Sequence, residues 1–151
     1  MQRRKGLRLR AFDYANDGPY HVTVCARERL FGDVIADVVR LSPAGHIVRA
    51  QIEALPQRLE VEVDMFVVMP NHVHIIVGLS PRARQASPLR LGTIIGSFKS
   101  GGSRNAGSRI WQRGYYDHVI RDENDLARVR AYIATNPIRW AFDPENPQRV
   151  S

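Results

Sequence analysis

Residues 59–79 read LEVEVDMFVVMPNHVHIIVGL, and their patterning decides the fold class. Apolar and polar residues alternate through Val61 and Val63, then the run turns wholly apolar up to Met69, as a central strand does. Pro70 and Asn71 interrupt it, because proline has no amide hydrogen to give a ladder and the pair favours a turn. From His72 the apolar run resumes to Leu79. Two strands this close in sequence are hairpin neighbours in an antiparallel sheet.

Working outward, YHVTVCARER (20–29) reads as a strand, with β-branched Val22 and Val24 two apart. FGDVIADVVRL (31–41) extends it as a second short strand or hairpin arm. Ser42 is a natural N-cap, with Pro43 at the first helical position. Ile47, Ala50, Ala54 and Leu55 then recur at helical spacing, and Pro56 is expected just beyond the end. Downstream, PRARQAS (81–87) is a polar loop. PLRLGTIIGSFKSGGSRN (88–105) predicts a helix through about Lys99, ended by Gly101 and Gly102. RIWQRGYYDHVIR (109–121) is strand-like. DENDLARVRAYIATNP (122–137) predicts an amphipathic helix capped by Asp122, with Leu126, Val129, Ile133 and Ala134 as its apolar stripe. This order predicts an α+β, ferredoxin-like sandwich: a central antiparallel sheet, helices on one face, and a C-terminal helix.

The 151 residues fit one domain, with a basic arm at 1–15 and a tail at 141–151. A hydrophobic fraction of 44% against 25% charged excludes wholesale disorder. Cys25 is the single cysteine, so neither an internal disulfide nor a thiolate-rich zinc site is available, and a buried Cys25 in a reducing compartment is expected. No apolar run approaches the ~20 residues that span a bilayer, and no apolar stretch follows the basic N-terminus as a secretory signal requires. The expectation is a cytoplasmic protein with no membrane partner. The formal net charge of +7 comes mainly from arginine, whose guanidinium fork suits phosphate oxygens.

Two local patterns carry chemistry. On a strand, His72 and His74 project from one face while Val73 enters the opposite layer, so the two imidazoles can hold a divalent ion together. In the last helix Tyr132 and Asn136 are four apart and share a face. A tyrosine there could attack phosphorus, given help in ionising a phenol of ordinary pKa near ~10. Asn136 could complete the metal shell as a neutral oxygen ligand, and two imidazoles plus an amide leave positions open on Mg²⁺ or Mn²⁺. The phosphate-binding candidates are Arg82, Arg84, Arg90, Lys99, Arg104, Arg109, Arg113 and Arg121. Tyr115 and Tyr116 face opposite sides of their strand, and one of them is expected in the core. Asp117 and His118 diverge likewise, leaving His118 free to meet DNA or the metal. His21 and His46 carry no partner pattern and read as structural or surface residues, and Trp111 as a packing residue.

Three stretches, YHVTVCARERLFGDV, VVMPNHVHIIV and IWQRGYYDHVIRDENDLARVRAYIATNPIRW, resemble in order the transposase IS200-like family, most closely its REP-associated tyrosine transposase branch. The resemblance runs from about Tyr20 to Trp140. It implies a metal-dependent single-strand DNA endonuclease and strand transferase of the His-hydrophobic-His class. His72 and His74 would be the metal ligands and Tyr132 the nucleophile, cutting beside DNA hairpins through a 5′-phosphotyrosine link. In many relatives a glutamine stands four residues after the tyrosine; here it is the shorter Asn136. A homodimer that exchanges Tyr helices and a self-contained monomer both remain open. Two other readings stay beside this one: a hairpin DNA- or RNA-binding regulator of the same fold that does not cut, and a metal-dependent phosphodiesterase in which water attacks and Tyr132 only packs.

Overall fold

A computed structural model describes residues 19–59, 61–79 and 91–146. The N-terminal arm, the 81–87 loop with Arg82 and Arg84, and Arg90 lie outside the described residues. The elements are β1 (Tyr20–Cys25), β2 (Gly32–Ile35), β3 (Val38–Leu41), α1 (Pro43–Arg58), β4 (Val61–Met69), β5 (His72–Leu79), α2 (Leu91–Ala106), β6 (Tyr116–Val119), α3 (Glu123–Thr135) and a 3₁₀ turn (Trp140–Phe142). Strands β4, β5, β1 and β6 form, in that order, one antiparallel sheet; β2 and β3 make a separate hairpin. With that hairpin set aside, β-α-β-β-α-β with the first and third strands central is the ferredoxin-like arrangement the sequence predicts.

Strand alternation sorts the core into two layers. Val22, Val24, Val73, Ile75 and Val77 face one side, where they pack with Val48, Ile52 and Leu55 of α1 and Ile94, Ile95 and Phe98 of α2. Ile76 faces the other side, against Leu126, Val129 and Ile133 of α3. Helices α1 and α2 therefore share one face, and α3 covers the opposite one. Strand β4 changes phase partway along: Val63 pairs with Val77, but Met65 pairs with Ile76, so Asp64 is the extra residue of a β-bulge. The bulge brings Met65 and Val67 to the α3 side.

Three helical expectations are corrected. The buried face of α1 is Gly45, Val48, Ile52 and Leu55, whereas Ala50 is exposed and Ile47 and Ala54 only half-buried. Gly45 sets that face, because a Cβ there would lie 2.2 Å from the Phe31 carbonyl oxygen. Pro56 lies inside α1, which runs on to Arg58. So near the C-terminus a proline forfeits only one intrahelical bond, and Leu59 still donates to the Leu55 carbonyl. Gly101 and Gly102 do not end α2 either. Added Cβ atoms would meet Gln51 Oε1 at 2.3 Å and Trp111 Nε1 at 3.2 Å, so both glycines let α2 approach its neighbours closely. The helix stops at Gly107, whose φ of +79° is the left-handed stop that glycine adopts freely.

Ser42 and Asp122 cap α1 and α3 as predicted, accepting from the amides of Gly45 and Asp125. Cys25 is buried, and burial beside Glu145 pushes its thiol up to about 11. Tyr115 packs against the α1/α2 core, while Tyr116 is exposed. Trp111 sits between Phe31 and Phe98, at ring separations of 5.2 and 5.1 Å. The β2–β3 turn places Ala36 and Asp37 at φ +53° and +65°, a two-residue turn that suits Asn-Gly. Replacing the pair by Asn-Gly is expected to raise stability by about 1 kcal/mol, read as a shift in the urea midpoint. No gain would show that the surrounding strands, not the turn, set its energy.

Candidate active site

Neighbouring strands fix the position of the histidine pair. His72 pairs with Cys25 and Met69, and His74 with Thr23 and Val67, on the face that α3 covers. Both imidazoles are buried, with ring centroids 4.8 Å apart. Their outer nitrogens are spoken for. Asn71 donates its amide to the Glu145 carbonyl at 2.6 Å, which leaves Asn71 Oδ1 to accept from His72 Nδ1 at 2.8 Å. His72 is thereby held as the Nδ1–H tautomer, its Nε2 a bare lone pair. His74 Nδ1 has Thr23 Oγ1 at 3.0 Å and His21 Nε2 at 3.1 Å; donating to either leaves its Nε2 bare as well. Partners of this kind on the far nitrogen are what orient metal-binding imidazoles.

Helix α3 brings the other groups. Asn136 is buried immediately after its last turn, and the Tyr132 ring stands edge-on to His74 at 5.1 Å, about one third exposed. His72 Nε2, His74 Nε2 and Asn136 Oδ1 are all buried and none has a hydrogen-bond partner. Three acceptors left bare in one interior are costly unless something electron-poor sits among them. Two imidazole nitrogens and an amide oxygen suit a divalent ion, so the residues present fit one. Among the described residues no group of three or more His, Cys, Asp or Glu side chains comes together as a metal site.

Burial holds both imidazoles neutral. It pushes the His74 pKa down to about 2, helped by neighbouring His72 and His21. It brings His72 down to about 4, against the opposing pull of the Asp143 carboxylate and the Asn136 amide. Neutral imidazoles are the form that binds metal.

Helix α3 is pinned to the sheet at both ends of the site. Arg130 grips Asp64 through Nε at 2.8 Å and Nη2 at 2.9 Å, with the Asp64 side chain 3% exposed. Asp125, in the first turn, accepts from His118 Nε2 at 2.8 Å, the Arg121 amide at 3.1 Å and Arg128 Nη2 at 2.7 Å. Beyond the helix the chain turns back instead of trailing as a tail. Trp140 stacks near His72 at 6.1 Å, and Asp143 and Asn146 are buried. Arg139 lays its guanidinium 4.8 Å above the Tyr132 ring.

Sequence reasoning missed several of these groups. His21 contacts His74 and lies 6.0 Å from the Tyr132 ring, and Asn71, Thr23, Asp143 and Arg139 also surround the centre. Only Asn71, adjacent to His72, carried a local signal. His46 is exposed and far from this face. Among the described residues, the phosphate-binding candidates Lys99, Arg104, Arg109 and Arg113 do not gather here. Lys99, Arg109 and Arg113 line a cavity of about 260 Å³ beside Trp111, and Lys99 Nζ donates to the carbonyls of Gln112 and Gly114. Arg104 lies exposed in the last turn of α2, and exposed Arg121 precedes α3.

Comparison with known proteins is consistent with this geometry. Residues 15–136 match the profile of the family described as transposase IS200 like. An uncharacterised protein of Haemophilus influenzae is 32% identical over 167 aligned positions, covering 95% of this chain and 93% of its own. A candidate REP-associated tyrosine transposase of the same organism is 27% identical over 86 positions, half of this chain and 48% of its own. Among solved structures, a REP-associated tyrosine transposase bound to a REP hairpin superposes with a TM-score of 0.63 at 23% identity, covering 80% of this chain and 67% of that one.

Proposed function

Since the chain belongs to the transposase IS200-like family, we propose that it cuts and rejoins single-stranded DNA beside hairpins, with Tyr132 as the nucleophile. The single observation that carries this reading is that His72 Nε2, His74 Nε2 and Asn136 Oδ1 are buried without a well-formed hydrogen bond, with Asn136 close enough to His72 to act on its charge and a part-exposed tyrosine beside His74. The hairpin bound to the superposable transposase supports a hairpin partner here.

In this reading His72, His74 and Asn136 hold Mg²⁺ or Mn²⁺. That ion supplies charge to neutralise the non-bridging phosphate oxygens. Asn71 keeps His72 in the ligating tautomer, and Thr23 and His21 keep His74 in it when they accept from its Nδ1. The Tyr132 phenol oxygen forms a bond to phosphorus and loses its proton; the bond from phosphorus to the 3′-oxygen breaks, and that oxygen takes up a proton. The product is a 5′-phosphotyrosine and a free 3′-hydroxyl. Attack by another 3′-hydroxyl reverses the sequence and rejoins strands without a nucleotide triphosphate. Arg139, poised over the phenol ring, adds positive charge where phenolate character develops.

The test is end-labelled stem-loop DNA with single-stranded flanks, incubated with Mn²⁺ and run on a denaturing protein gel. A labelled protein band is expected that vanishes with chelator. His74→Ala is expected to weaken Mn²⁺ binding by about 10- to 100-fold or more, read by calorimetry without DNA. An adduct that forms equally in chelator would sink the metal role. Retained stem-loop binding with no adduct on any flank sequence would leave the non-cutting regulator.

A further inference from the structure

Thr23 of β1 has His74 on one side and Tyr116 on the other, so Tyr116 projects from the catalytic face about 10 Å from His74, two strand spacings away. Its side chain is 71% exposed, unlike neighbouring Tyr115, which packs into the core. Two pairs along, His118 stands beside His21 on the same face. Between these strands and α3 lies an open cavity of about 430 Å³, lined by His21, His118, Asp125, Arg128, Val129 and Tyr132; Tyr116 stands outside this lining, two residues before His118 on β6 and on the same face of the sheet. The far side of the histidine pair is closed by the buried Trp140. A strand whose phosphate lies against Tyr132 therefore has its open path toward β6.

The walls of that path have a definite chemistry. Val129 gives an apolar floor, and Tyr132 and the imidazoles give ring faces and edges. Asp125 would repel a phosphate, but it is buried and both its oxygens are already engaged by His118, Arg128 and the Arg121 amide. It holds His118 and the exposed Arg128, both of which line the cavity. Exposed aromatic surface alternating with cationic groups is the pattern that holds unpaired nucleotides: bases stack, phosphates meet guanidinium. The formal charge of +7 favours the same partner.

We propose that this cavity seats an unpaired nucleotide flanking the scissile phosphodiester, with Tyr116 as the platform on which a base stacks and Arg128 meeting the backbone phosphate. The proposal rests on the strand-cutting reading above and assigns one of its two single-stranded arms to the β6 edge of the sheet.

The experiment uses fluorescence anisotropy, in chelator so that no cutting occurs. Three probes are compared: a DNA stem-loop with oligothymidylate arms, the same stem-loop with abasic arms, and the bare stem-loop. The unchanged protein is expected to bind thymidylate arms about tenfold more tightly than abasic arms, the size of one stacked base. Tyr116→Ala should bring these two probes to the same affinity, while Tyr116→Phe keeps the difference. Arg128→Ala should weaken both armed probes alike. A full thymidylate preference in Tyr116→Ala overturns the platform. If the unchanged protein binds stem-loops but ignores bases in the arms, the subsite fails and the cutting reading stands. If it binds no stem-loop at all, the reading beneath it fails too.

Discussion

Tyr132→Phe is expected to abolish the covalent protein–DNA adduct and to lower strand cleavage by on the order of 10⁴-fold or more, with stem-loop binding retained. Phenylalanine keeps the ring that packs edge-on to His74 and lies beneath Arg139, and removes only the oxygen that would bond to phosphorus. The ring is about one third exposed, so the substitution strips no buried hydroxyl of its partners and folding should be unaffected. Because α3 packs on its own chain's sheet, mixing Tyr132→Phe with His72→Ala protein should not restore activity. Restoration would mean that tyrosine and metal ligands come from different chains. Cleavage by Tyr132→Phe at the unchanged rate, with no adduct in either protein, would instead identify water as the nucleophile.

Asp64→Ala should cause the largest loss of stability among single changes near the site, about 2–3 kcal/mol, or roughly 5–10 °C in Tm. The carboxylate is nearly inaccessible and accepts two bonds from Arg130, so its removal deletes both bonds that tie α3 to the bulge of β4. Arg130 keeps 29% of its side chain exposed and can turn partly to water, which holds the cost below that of a fully buried pair. Arg130 is two residues before Tyr132, so loosening this clasp should also reduce cleavage. The double change to alanine should cost less than the sum of the single changes, since each single change already breaks the shared pair. Strict additivity would show that the bulge at Asp64, and not the ion pair, carries the effect.

Much of the architecture was legible in local pattern. The run from Leu59 to Leu79, its interruption at Pro70–Asn71, the caps at Ser42 and Asp122, and the stripe Leu126, Val129, Ile133 all express constraints within a few residues of each other. Strand alternation alone placed His72 and His74 on one face and Val73 on the other. Helix spacing put Tyr132 and Asn136 on one side of α3. Patterns of this kind are decided by backbone periods, which the chain carries wherever it folds.

What depended on tertiary structure was everything set by which elements touch. The sequence marks Gly45 and the Gly101–Gly102 pair as helix breakers as readily as close contacts. Only the nearness of the Phe31 carbonyl, Gln51 and Trp111 shows that they serve packing. His21 looked unpartnered because its neighbour, His74, is 53 residues away and meets it only through the β1–β5 pairing. Asp64 reads as one more polar residue in an alternating strand until the bulge turns it toward Arg130. The basic residues show the limit from the other side. Charge is visible in the sequence, but Lys99, Arg109 and Arg113 gather by Trp111 while Arg128 stands by Tyr132, a division made by the two faces of the sheet. Backbone periodicity is a local property and survives in one dimension, whereas the pairing of distant side chains is fixed only when burial chooses a single register for the sheet.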